Sequence, residues 1–180
     1  LYRYLEDGAT GFMFPFVDDV AVARSLVEAV KYPPLGNRGI DGAGLDADYG
    51  LDFFLDREST YLEDANRETF VVAQIETPKA LSNLDEIAQV DGIDLLFVGP
   101  GDLAARLEHS DMGDLDAAVE RVAEAAQKHG KAWGIPGGPP EAVEKYHKMG
   151  AQMIANAGDF GVFKLLEAGA EDFDRILGEG

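Results

Sequence analysis

Cysteine is absent from this 180-residue chain, which excludes disulfides and thiolate metal sites and fits a cytoplasmic home. Cations are scarce as well. Only 15 Lys and Arg stand against 34 Asp and Glu, a formal net charge of −19. A surface of that sign repels nucleic acid and anionic lipid, which both need a basic face, so neither is an expected partner. It also means that an anionic substrate needs a local cation, a set of aimed backbone amides or a bound metal. No apolar run approaches the ~20 residues of a membrane helix, and no basic segment leads into an apolar one in the manner of a secretion signal. There is no tandem repeat, low-complexity tract or interdomain linker. With 46% hydrophobic residues the composition is that of an ordinary globular protein, and residues 1–180 are expected to form one domain with a substantial core.

What recurs instead is a short apolar strand, a turn and an amphipathic helix. Strands are predicted at 11–16 (GFMFPF), 70–76 (FVVAQIE), 94–99 (DLLFVG), 131–136 (KAWGIP) and 152–157 (QMIANA). These are continuous apolar runs, as parallel strands covered on both faces require. Between them, Val20, Ala23, Val27 and Val30 recur at helical spacing behind a cap at Asp18 or Asp19. Thr77-Pro78 caps a helix with buried stripe Leu81, Leu84 and Ile87. Leu115, Ala118, Val119, Val122 and Ala126 form the clearest stripe, stopped at Gly130, and Val143, Tyr146 and Met149 form another, stopped at Gly150. Residues 160–177 read as one or two helices. Residues 32–60 are Gly/Pro-rich and aperiodic, a long loop suited to function or to an interface.

Alternating strand and helix specifies an α/β fold with a parallel sheet, either an open doubly wound sheet or a closed (β/α)8 TIM barrel. A barrel needs about 250 residues and eight strands. The chain opens in mid-helix, LYRYLEDGATGFMF, with Asp7-Gly8 as the terminating turn. The expectation is an N-terminally incomplete TIM barrel, its first three strands lying upstream.

In both architectures active sites gather at the carboxyl ends of the strands. Glu76 closes one strand and Asp102 follows the next, in FVGPGDLA. Two carboxylates without Cys or a nearby His are hard oxygen ligands suited to Mg2+ or Mn2+. The competing reading is equally open from spacing alone: Asp102 as a helix N-cap and Glu76 as an ordinary acid in a βα turn. If a helix starts here, the amides of Gly101, Asp102 and Leu103 make a ready anion site. Gln74 alternates with Glu76 and points the same way. His109, His129 and His147 lie away from strand ends and read as structural or solvated. GIPGGPP at 134–140 is a rigid turn at the active rim, and Arg38 reads as a structural loop residue.

Read in order, GATGFMFPFVDD, YPPLGNRG, QIETPKALSNLDEIAQVDGIDLLFVGPGDLA and GKAWGI resemble the HpcH/HpaI aldolase family, metal-dependent class II pyruvate aldolases of the phosphoenolpyruvate/pyruvate barrel superfamily. The similarity runs over residues 1–168. It implies a (β/α)8 barrel in which Glu76 and Asp102 are the metal ligands, for Mg2+, Mn2+ or Co2+, and the Gly101 and Asp102 amides receive a pyruvate carboxylate. Pro136 falls where the family lines its aldehyde pocket, often with Leu. The implied reaction is cleavage of 4-hydroxy-2-oxo acids or 2-dehydro-3-deoxy sugar acids to pyruvate and an aldehyde, through a metal-bound pyruvate enolate. The family's catalytic His and keto-oxygen Arg match no residue here and are expected upstream. The resemblance further implies a homo-oligomer, trimer or hexamer. The alternatives are a citrate lyase β-like acyl-CoA lyase, which would want a basic groove, and a non-catalytic barrel fragment or assembly subunit.

Overall fold

A computed structural model describes residues 1–156 and 158–178. All five expected strands pair in parallel in one sheet, in the order β1 (Gly11–Phe14), β2 (Phe70–Ile75), β3 (Leu95–Val98), β4 (Ala132–Pro136) and β5 (Met153–Ala155). Each stops short of its apolar run at one end or both. Ala157, the last residue of the expected fifth strand, lies outside the described residues.

Strand order decides between the two architectures. A doubly wound sheet reverses direction at a switch point, whereas this order follows the sequence throughout. Coverage of the faces agrees. Val71, Ala73, Ile75, Leu96, Val98, Trp133 and Ile135 merge with helix residues such as Ala23, Val27, Leu81, Leu103 and Val122 in the principal core. The opposite face carries Val72, Leu95 and Phe97, packed with Ala132 and Met153 in a separate cluster without any helix residue. Helices therefore cover one face, and strand side chains fill the other. This is the curled wall of a TIM-type barrel, five βα units long, and the open-sheet alternative falls.

Local signals explain most helices. α1 (Tyr2–Glu6) ends at Asp7, and Gly8 follows at φ 98°. α2 (Val20–Val30) is capped by Asp19, whose carboxylate accepts the Val22 N–H at 3.0 Å. Asp18 instead accepts the Thr77 hydroxyl proton. Thr77 in turn accepts the Ala80 N–H at 3.0 Å and starts α4 (Pro78–Ser82). The single helix expected here divides at Asn83 into α4 and α5 (Leu84–Ala88), because the Asn83 amide donates to the Asp18 carbonyl at 2.8 Å. α6 (Pro100–Leu107) and α7 (Leu115–His129) follow, and Gly130 ends α7 at φ 65°. α8 (Pro140–Lys148) and α9 (Asp159–Leu177) complete the described elements, α9 as one continuous helix.

Residues 32–60 are less irregular than their composition implies. Leu45–Gly50 form an irregular 3₁₀ turn and Leu51–Leu55 a π-type turn. α3 (Tyr61–Glu68) is a helix absent from the expected elements; its apolar side is short, with Tyr61 buried and Leu62 and Ala65 partly buried beside it. A buried polar knot holds this region. Arg38 donates to Asp46 at 2.7 Å and lies 4.5 Å over the Tyr32 ring, and the Tyr61 hydroxyl donates to the same Asp46 oxygen at 2.6 Å. Arg38 lines a cleft with Gly8, Thr10 and Thr69, ahead of β1 and β2, at the end of the sheet opposite the active rim. Its role there is structural.

Candidate active site

The rim is built where β1, β2 and β3 end. The side chains of Gln74 and Glu76 share the interior face with Val72, since strand residues alternate. Glu76 is only 2% exposed. Its Oε1 accepts the backbone N–H of Phe16 at 2.8 Å. Phe16 follows β1 with φ 54°, a left-handed backbone that a bulky residue adopts only when its surroundings hold it. Those surroundings are explicit: Val17 donates to the Gln74 carbonyl at 3.4 Å, and Lys79 grips Asp19 at 2.7 Å. The lysine also holds the Asp19 carboxyl below the usual carboxylate range, with the Val22 N–H contributing.

Across the rim, Gly99 leaves room for both β2 side chains. A Cβ there would stand 2.6 Å from Glu76 Oε2 and 2.8 Å from Gln74 Nε2. Gly99 is also the N-cap of α6, with Pro100 at the first helical position. Asp102 is therefore not the cap that its Gly-Asp-Leu-Ala setting suggested. It stands in the first turn, half-exposed, paired with Arg106 one turn on. The expected anion site narrows for the same reason. The Leu103 N–H donates to the Gly99 carbonyl at 3.0 Å, the first bond of the helix, so Leu103 has no amide to offer a ligand. The Gly101 and Asp102 amides precede that bond.

Pro136 closes β4 on the interior face, in register with Ala155. Asn156, which sequence reasoning passed over, lies beyond β5 against Gly137, 3.0 Å from where a Cβ on that glycine would sit. None of the three His reaches this rim. His109 and His129 lie at the carboxyl ends of α6 and α7, and His147 lies in the last turn of α8. His129 Nε2 is 2.6 Å from Asp85.

Whether a divalent cation suits this arrangement is tested by Glu76. A buried carboxylate is costly without a cation, and among the described residues no Lys, Arg or His lies within ion-pair distance of it. A hard cation meets that need. The described residues hold no cluster of three or more acidic, His or Cys ligands, so such an ion would complete its shell from substrate and water.

The family model for HpcH/HpaI aldolase/citrate lyase matches residues 1–164. The chain belongs to that family. Among relatives of this HpcH/HpaI chain, the 2-dehydro-3,6-dideoxy-6-sulfogluconate aldolase of Pseudomonas putida is 39% identical over 88% of the chain and 61% of its own length. The 2-keto-3-deoxy-L-rhamnonate aldolase of Klebsiella pneumoniae is 38% identical over 85% of the chain and 57% of its own. The HpcH/HpaI chain thus spans about three-fifths of these curated relatives. In three dimensions it matches the crystal structure of an HpcH/HpaI aldolase from Desulfitobacterium hafniense with a TM-score of 0.81 at 31% identity, covering 96% of this chain and 67% of that one. No helix among the described residues is long and apolar enough to cross a membrane.

Proposed function

We propose that this chain carries the metal- and pyruvate-binding part of a class II pyruvate aldolase, a lyase that cleaves 4-hydroxy-2-oxo acids or 2-dehydro-3-deoxy sugar acids. The observation that carries the reading is the buried Glu76 carboxylate at the strand-end rim, with no basic side chain within ion-pair distance among the described residues. The two curated relatives, aldolases of deoxy 2-oxo sugar acids by name, supply the substrate class. Glu76 and Asp102 would hold Mg2+, Mn2+ or Co2+, which when bound supplies Lewis-acid polarisation of the 2-oxo acid.

The chain's own groups have separable tasks. The Gly101 and Asp102 amides, at the start of α6, orient the substrate carboxylate. Gln74 donates to a substrate oxygen from the interior face. Pro136 and Asn156 shape the space for the aldehyde. Leu96, Val98 and their helix partners keep water from beneath the rim. No His is placed to move a proton there, so none of the three is assigned the role of general base.

α9 supports a homo-oligomer, trimer or hexamer. None of its 19 residues is buried, although Val162, Leu166, Phe173 and Leu177 recur along one side.

The test is a Mn2+ titration followed by EPR, with and without pyruvate. The wild-type chain should bind one ion, more tightly with pyruvate, and Asp102→Asn should lose the pyruvate effect. A folded wild type indifferent to Mn2+ overturns the reading.

A further inference from the structure

Asp102 and Glu76 are joined by a chain of contacts that the aldolase reading does not use. Arg106 Nη1 pairs with Asp102 Oδ1 and also donates to the Asp102 carbonyl at 3.0 Å. The same guanidinium lies 5.4 Å from the centroid of the Phe16 ring. The Phe16 N–H, in turn, is the donor to Glu76 Oε1. One cation on α6 therefore touches the first acid directly and stacks on the residue that holds the second. The arrangement favours Arg, whose planar group offers several donors and an aromatic contact at once, over a compact ammonium on a flexible stem.

From this geometry we propose that Arg106 is a positioning residue that holds Asp102 on its own helix and competes with a divalent cation for that carboxylate. The inference rests on the reading of Glu76 and Asp102 as metal ligands. While Arg106 is engaged, Asp102 is held on its own helix and its charge is neutralised locally. A divalent ion competes with the guanidinium for the charge and orientation of the same carboxylate. Once displaced, Arg106 keeps its stacking on Phe16 and stays beside the rim as a free cation in a chain of net charge −19. It is then available to an anionic group of the incoming acid.

The experiment measures Mn2+ dissociation constants by EPR for wild type, Arg106→Gln, Arg106→Lys, Lys145→Gln and Asp102→Asn, with melting temperatures recorded alongside. Lys145 is the control, because it pairs with Asp116 and touches neither Asp102 nor the residues around Glu76. Arg106→Gln should bind Mn2+ more tightly by up to about five-fold, the range that the free energy of an exposed ion pair permits. Arg106→Lys should fall between, and Lys145→Gln should match wild type. The latch is overturned if Arg106→Gln binds as wild type does, or if Lys145→Gln tightens binding as much, which would make the effect one of net charge. Either result leaves the metal site standing, provided Asp102→Asn binds weakly. Absence of Mn2+ binding in every folded variant overturns the site and the latch together.

Discussion

Glu76 and Gly99 meet so closely that the side chain of one depends on the absence of a side chain on the other. A Cβ on Gly99 would lie 2.6 Å from Glu76 Oε2 and 2.8 Å from the Glu76 Cβ. Two successive strands thus end in complementary fashion, one with a buried acid and the next with the space that accommodates it.

Gly99→Ala should therefore displace the Glu76 carboxylate from its place beside Phe16. Overpacking of this kind costs about 1–3 kcal/mol, read as a lower urea midpoint. Mn2+ binding should weaken in the same variant. A Gly101→Ala control should keep or slightly raise stability, since nothing lies within 4 Å of that Cβ position and Ala suits a helix better than Gly. Equal behaviour of the two variants would show that Gly99 is not fitted to Glu76.

Glu76→Gln should separate stability from binding. Removing a buried charge that lacks a cation, while keeping an oxygen for the Phe16 N–H, should raise metal-free stability by about 0.5–2 kcal/mol, as relaxing a functional site commonly does. The same change should abolish Mn2+ binding. Loss of stability would mean that Glu76 is a structural acid.

At the opposite end of the sheet, Lys31 is buried and donates to the Asn66 carbonyl at 2.8 Å and to the Thr69 carbonyl. It also lies 3.5 Å from Asp94, whose carboxylate accepts the Val71 N–H at 2.7 Å. Asp94→Ala leaves that N–H short of an acceptor and weakens the neutralisation of the buried ammonium, which, with Asp94 half-exposed and the pair screened by solvent, should cost about 1–2 kcal/mol in chemical denaturation. Its distance from the rim predicts an unchanged Mn2+ affinity in the folded variant.

The polar knot around Asp46 should make stability sensitive to alkali. Burial, with the hydrogen bonds to Asp46 and Tyr32, pushes the Tyr61 hydroxyl well above the ordinary phenol range, and burial raises Tyr32 too. A raised folded-state value means that the stabilisation is complete below the unfolded value, about 10 for Tyr. It is lost as pH rises beyond that, because the unfolded chain then releases protons that the native state retains. Between pH 9 and 11, wild type should lose more stability than Tyr61→Phe, which has one such group fewer. Parallel losses in urea midpoint would contradict the assignment.

Much of this was legible in the sequence, for identifiable reasons. The Thr77-Pro78 and Gly130 boundaries follow from local chemistry, and the five apolar runs became five strands because buried parallel strands must be apolar on both faces. The sequential strand order does not follow from periodicity, which carries no neighbour information; it is expected only through the barrel reading, and the sheet bears that out. α3 escaped because it buries one residue, Tyr61, through long-range contacts with Tyr32 and Asp46. At the site, Glu76 and Asp102 were visible as acids following strands. The displacement of Asp102 from cap to first turn had an unused signal, Pro100 at the first helical position. Arg106 had one too, its i,i+4 spacing from Asp102. The Phe16–Glu76 hydrogen bond spans 60 residues and had none.

The central claim, that Glu76 and Asp102 converge on one divalent cation, is tested most directly by anomalous diffraction at the manganese edge. Crystals soaked in MnCl2 and pyruvate should show one peak bonded to carboxylate oxygens of both residues, with the Arg106 guanidinium moved off Asp102. A map with no peak between them, with Arg106 still on Asp102 and Glu76 still holding only the Phe16 N–H, would contradict it.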